Sequence, residues 1–266
     1  MRMFRCVLMS CLLSLLGVQA IARQSVVDIP TRPGVSERAL YVEPDTGAPR
    51  AAAVLLPGGH GSLKLFPNGS IGWGDLGFLV RTREQFAAQG IAVLVLDAPS
   101  DKRAGLGGFR DTAEHATDIG AAIAWLRQRA GVPVWLVGHS RGTESATSAT
   151  LRLGAPPAGP DGLVLASSIL ADSSFVSGKA LTHYAIEQVK VPVLVLHHEA
   201  DPCSVTPPGE LPSLVDKQPK DVRTKVVRLP GGRQVGEACG HDGLHGFGGL
   251  DASAVKTIAD FMVEAP

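Results

Sequence analysis

The chain carries little that would mark it for a charged partner. Lys plus Arg and Asp plus Glu stand at 25 each, and no long run of either sign occurs. The electrostatic footprint of a nucleic-acid or acidic-membrane binder is therefore missing. No apolar stretch reaches the roughly 20 residues that span a bilayer, and no repeat of roughly 20 to 50 residues is present. Aromatic residues make up only 5%, which gives no hint of an aromatic-lined polymer groove. With charge, repeats and spans set aside, a small or neutral substrate becomes the default expectation.

Cysteine is scarce too, and its placement matters. Of the four cysteines, Cys6 and Cys11 fall in the N-terminal stretch. There Arg2 and Arg5 precede a charge-free apolar segment from Cys6 to Val18, followed by Val18-Gln19-Ala20 and Ala20-Ile21-Ala22. This order of basic region, short apolar region and small residues predicts a secretory signal over 1–22 and a secreted or periplasmic protein. At about 13 residues the apolar segment is too short for a membrane anchor, so no membrane association is expected after cleavage. Removing the signal leaves Cys203 and Cys239, an even pair in an oxidising compartment, which reads as one disulfide, the alternative being two buried thiols. A lone, widely separated pair lacks zinc-ligand spacing, and no metal is expected.

What remains, 23–266, is long enough and apolar enough (45% hydrophobic over the whole chain) to form one domain with a full core. Apolar strand-length runs occur at Ala51–Leu56, Ile91–Leu96, Val134–Val137, Gly162–Ala166, Val191–His197 and Thr224–Leu229. Helical spacing occupies 78–89, 112–129, 142–153 and 253–263. Buried strands alternating with helical segments predict a mostly parallel sheet with helices on both faces. The segment 23–50, rich in proline, glycine and charge, reads as a leader with one short edge strand near Ala39–Val42. Only about 25 residues separate the strands at 162 and 191, too few for a large cap domain, so an open site is expected.

Chemistry concentrates at Gly138-His139-Ser140-Arg141-Gly142. An apolar strand runs into it and a helical pattern leaves it, the context in which Gly-x-Ser-x-Gly lifts a serine hydroxyl above a sheet. The glycines are needed because strand and helix approach so closely that a Cβ two residues to either side would collide. In these residues the chain resembles the α/β-hydrolase superfamily of serine hydrolases. Gly58-Gly59-His60-Gly61, Cys203, Cys239 and His245-Gly246-Phe247 resemble a small secreted bacterial branch that is esterase-like and dienelactone-hydrolase-like.

The resemblance implies Ser140 as nucleophile, then an acid, then a histidine base in chain order. Asp201, in the loop after the strand at 191, is the expected acid, with Glu199 and Asp172 as alternatives. His245 is favoured as base because His-Gly-Phe shortly before a terminal helix is similar to the end of such hydrolases; His241 is the alternative. The oxyanion of a tetrahedral intermediate needs backbone N–H donors, expected from Arg141 and from His60 or Gly59. The Arg141 side chain either meets an acidic substrate group or ties down the helix start through a neighbouring carboxylate. His60, His115, His139, His183, His197 and His198 read as structural or as supports behind the site, His139 pointing away from the serine's face. The glycine-rich loop lacks the spacing of a phosphate-binding turn.

The implied activity is cleavage of a small-molecule carboxylic ester through an acyl-enzyme, without metal or organic cofactor. Peptidase or thioesterase chemistry on the same triad, or a silent hydrolase-fold binding protein, are the alternatives. A Cys203–Cys239 bond would clamp the acid loop to the base loop.

Overall fold

Five apolar runs of the sequence lie side by side as the interior of one eight-stranded sheet. The computed structural model describes residues 23–44, 47–173 and 178–264; the expected signal over 1–22, with Cys6 and Cys11, lies outside them. Strands β1 (Gln24–Arg32), β2 (Val35–Val42), β3 (Ala51–Leu56), β4 (Ile91–Pro99), β5 (Val134–His139), β6 (Gly162–Ala166), β7 (Val193–His198) and β8 (Thr224–Leu229) stand in the order β1-β2-β4-β3-β5-β6-β7-β8. From β4 to β8 every pairing is parallel, whereas β1 and β2 join antiparallel. Every residue of β3, β4, β5, β6 and β7 is buried, as a parallel sheet covered on both faces requires.

Two helix layers supply that cover. Helices α3 (Ala113–Ala130) and α4 (Gly142–Leu153) pack Ile119, Ile123, Leu126, Ala146 and Ala149 onto one face. On the other face, α1 (Phe78–Arg81), α2 (Arg83–Ala88) and α6 (Asp251–Val263) bring Phe78, Phe86, Ile258 and Phe261. Each Ile, Leu or Phe among them contributes on the order of 1.5 to 3 kcal/mol on leaving water. A short helix α5 (Leu211–Val215) follows β7. Among the described residues no helix is long and apolar enough to cross a membrane, and those between β6 and β7 form two short helical turns at Leu181–His183 and Ile186–Gln188, with no cap.

The structure corrects the sequence reading in two places. Residues 24–42 form a full antiparallel hairpin rather than a leader with one short strand, turning at Pro33-Gly34, where Gly34 has φ 73°. Much of β1 faces solvent, so its apolar alternation is diluted by polar residues. The expected helix over 78–89 is two pieces broken at Thr82, whose hydroxyl donates to the Phe78 carbonyl at 2.6 Å; such back-bonding competes with the helix ladder.

Candidate active site

The turn between β5 and α4 is strained as the glycine spacing requires. Ser140 has φ 53°, a left-handed conformation that costs a non-glycine residue on the order of 1 to 3 kcal/mol. Its surroundings hold it there. The Ser140 N–H donates to the Ala166 carbonyl at 2.9 Å, and the Ser140 carbonyl accepts from the Thr143 N–H at 2.9 Å and hydroxyl at 2.6 Å. A Cβ on Gly142 would run into the Leu56 carbonyl, and one on Gly138 would meet the Gly142 backbone.

The loop after β7 delivers Asp201, which is 5% exposed. Its Oδ1 accepts the Cys203 N–H at 2.9 Å, while Oδ2 accepts the Thr206 hydroxyl at 2.8 Å. His245 lies in the turn Leu244–Gly246 and is 3% exposed. Its Nδ1 stands 3.0 Å from Asp201 Oδ2, and its Nε2 stands 3.0 Å from Ser140 Oγ. With Nδ1 protonated against the carboxylate, Nε2 is left to accept the serine proton. Burial pushes the Asp201 carboxyl up, but its hydrogen bonds to and attraction by His245, with the Cys203 and Thr206 donors, outweigh that and hold it below the usual carboxylate range.

The other candidates lie elsewhere. His241 is exposed at the rim of the cleft and 3.4 Å from Asp242. Glu199 is exposed, and Asp172 accepts the Ala180 N–H and faces His183. Cys203 and Cys239 form a disulfide, which joins the loop of Asp201 to the loop of His245. His197 donates from Nε2 to the Thr206 carbonyl at 2.9 Å and lies 3.5 Å from Asp201. His139 crosses to the base loop, its Nε2 donating to the His245 carbonyl at 3.0 Å, and burial first, then the charge of His245, lowers its pKa to about 3. A neutral His139 fits that donor role.

A cleft of about 240 Å³ opens over Ser140 and His245, walled by the glycine loop, Trp73, Leu76 and His241. Gly58 abuts Ser140: a Cβ there would stand 2.9 Å from Ser140 Cβ. Gly59, at φ 59°, lies against Trp73, which stacks on His60 with ring centroids 3.6 Å apart. Of the aromatics near this loop, Trp73 lines the cleft, Phe78 is core and Phe66 is exposed. Arg141 places its Nε 3.6 Å from Glu144 Oε1, the helix-tying arrangement.

Several residues that hold this geometry escaped the sequence reading. Thr206 touches both Asp201 and His245 Nδ1, the latter at 3.2 Å. Ser167 donates to the His245 carbonyl at 2.9 Å. Arg81 forks to Asp251 at 2.7 and 3.0 Å and also donates to the Gly246 and His241 carbonyls at 2.6 and 3.2 Å, pinning the base loop. Phe247, fully buried at φ 60°, packs on Phe78 with centroids 4.8 Å apart. Thr206, Ser167 and Arg81 carry no local motif; Phe247 had a signal, as the last residue of His245-Gly246-Phe247.

Neither a protein-family model nor a curated protein matches the sequence. Solved structures do. A serine hydrolase of Xanthomonas campestris that lacks a lid superposes with a TM-score of 0.56 at 16% identity, over 93% of this chain and 98% of that one. An esterase of Pyrococcus furiosus gives 0.60 at 16% identity over 90% and 91%. Dienelactone hydrolase of Anabaena variabilis gives 0.59 at 16% identity over 90% and 96%. By this superposition the chain has the fold of the α/β serine hydrolases.

Proposed function

We propose that the protein is an exported serine hydrolase that cleaves a small carboxylic ester through an acyl-enzyme on Ser140. The observation that carries this reading is the continuous line of hydrogen bonds from Ser140 Oγ through His245 to Asp201, each 3.0 Å long, at the floor of a cleft. A serine hydroxyl alone is a weak nucleophile, and this line is what activation requires. His245 Nε2 takes the hydroxyl proton as Oγ attacks the ester carbon. Asp201 keeps Nδ1 oriented and stabilises the imidazolium. The N–H groups of Arg141 and of His60 or Gly59 receive the oxyanion. As the tetrahedral intermediate collapses, His245 gives the proton to the departing alcohol. Water then repeats the cycle on the acyl-enzyme and releases the acid.

Ester rather than amide cleavage is favoured by the esterases among the similar structures and by the small, open cleft with its apolar Trp73 and Leu76 wall. Export is favoured by the N-terminal pattern and agrees with the disulfide. The test is turnover of a p-nitrophenyl ester series from acetate to octanoate beside matched anilides and thioesters. Ester hydrolysis, lost in Ser140→Ala, supports the reading. Hydrolysis of the anilides alone would move the protein to the peptidases.

A further inference from the structure

Behind the glycine loop lies a charge that the proposed mechanism does not yet use. Arg110 is 3% exposed, and its hydrogen bonds go to neutral oxygens. One Nη donates to the Ser145 hydroxyl at 2.8 Å, the other to the carbonyls of Pro57 at 3.2 Å and Gly59 at 3.3 Å. Burying a guanidinium without a hydrogen-bonded carboxylate is costly. Burial first, then the nearby charge of Arg141, lowers its pKa to about 9, which still leaves it protonated at neutral pH. His115 fixes the same hydroxyl from the other side, its Nε2 3.0 Å from Ser145 Oγ. Gly61 completes the fit, because a Cβ there would stand 2.6 Å from an Arg110 Nη.

Peptide units are planar, and in the trans form the N–H points opposite to the carbonyl. Pinning the carbonyls of Pro57 and Gly59 therefore fixes two peptide planes, the second of which carries the His60 N–H. It also fixes the ends of the peptide between them, which carries the Gly59 N–H. Those two N–H groups are the candidate oxyanion donors. A cation on the carbonyl side of an amide polarises it and makes its N–H a stronger donor.

We infer that Arg110 is a positioning residue for the oxyanion site, holding and polarising the Pro57–Gly61 loop so that its N–H groups meet the negative charge of the tetrahedral intermediate. The inference rests on the serine-hydrolase reading of Ser140. The effect belongs to the transition state, since the uncharged substrate carbonyl gains little from a stronger donor.

The test compares wild type, Arg110→Met and Arg110→Lys for kcat and KM on p-nitrophenyl butyrate and for affinity toward phenylboronic acid, whose serine adduct is a tetrahedral anion. Rates are taken per serine titrated by a fluorophosphonate, and folding is followed by circular dichroism. Removing one oxyanion donor costs roughly 100- to 1,000-fold in kcat, so displacing the loop is expected to cost about 10- to 100-fold in Arg110→Met, with KM within about threefold. Boronate affinity should fall in proportion to kcat. Arg110→Lys, which keeps the charge but cannot fork, should lie between. Should Arg110→Met fail to fold, Arg110→Lys and Ser145→Ala carry the test, with the same split between kcat and KM at smaller size. Folded variants with wild-type kcat and boronate affinity would overturn the inference. A wild type that neither reacts with the fluorophosphonate nor turns over ester would overturn the underlying reading instead.

Discussion

Asp201 and His245 share more than the 3.0 Å hydrogen bond between them: the Thr206 hydroxyl sits 2.8 Å from the same Asp201 oxygen and 3.2 Å from the same His245 nitrogen. A carboxylate held by three donors has little freedom to rotate, so the imidazole it faces is held in one tautomer and one plane. Replacing Thr206 with Val keeps the shape and removes the donor. Stability should drop by only about 1 kcal/mol, the scale of one hydrogen bond, while kcat/KM falls about tenfold. Steady-state kinetics beside a thermal melt checks this; an unchanged kcat/KM would deny Thr206 its role.

The two histidines of the last loop should separate cleanly. His245→Ala removes the only imidazole within hydrogen-bond reach of Ser140 among the described residues and is expected to lower kcat by more than about 1,000-fold. His241→Ala, at the exposed rim, should change kcat by no more than about threefold. Comparable losses in the two variants would contradict the assignment.

The disulfide ties Cys203, whose N–H holds Asp201, to Cys239 on the loop that leads to His245. A bond closing a loop of this length stabilises the fold by roughly 3 to 4 kcal/mol on chain-entropy grounds. Cutting it also frees the acid and base loops to move apart. In a titration with reductant, hydrolysis should therefore fall at concentrations where circular dichroism still reports native secondary structure. Coincident loss of both signals would reduce the bond to a stabilising staple.

Three buried groups give stability a pH dependence. His115 and His139 are both lowered to about 3, chiefly by burial, so between about pH 6.5 and that value the unfolded chain binds protons that the fold refuses. Stability falls with acid in that window, at about 1.4 kcal/mol per pH unit for each histidine. Glu37 acts with the opposite sign. Burial first, then Asp118 and Asp97, raises its pKa well above normal, and neither carboxyl oxygen has a hydrogen-bond partner. The fold keeps a proton that the unfolded chain releases, so stability is lost as pH rises above the unfolded value of about 4.3. Glu37→Gln should raise Tm more at pH 8 than at pH 5. An equal or larger gain at pH 5 would contradict this.

The parts of this protein that sequence pattern reveals are those fixed by local chemistry. The runs at 51–56, 91–96 and 134–137 are apolar on both faces because both faces are covered, and Gly138 and Gly142 flank Ser140 because no side chain fits there. Asp201 was legible through its place just beyond a buried strand. The hairpin of β1 and β2 was not, since an edge exposed to water relaxes the apolar pattern. Nor could His245 be separated from His241 by residue chemistry: the 245–247 turn is held inward by Phe78, on which Phe247 packs, and by His139 and Ser167, which bind the His245 carbonyl, all distant in the chain. Thr206, Arg81 and Arg110 are single polar residues whose meaning appears only once the chain brings their partners to them.

Activation of Ser140 as a nucleophile is read out by its reaction with a fluorophosphonate, mapped by mass spectrometry. Such a reagent requires a serine whose proton an adjacent base can take. Stoichiometric modification at Ser140 is expected, vanishing in Ser140→Ala and dropping sharply in His245→Ala. A well-folded protein that stays unmodified, or is modified at another serine, would contradict it.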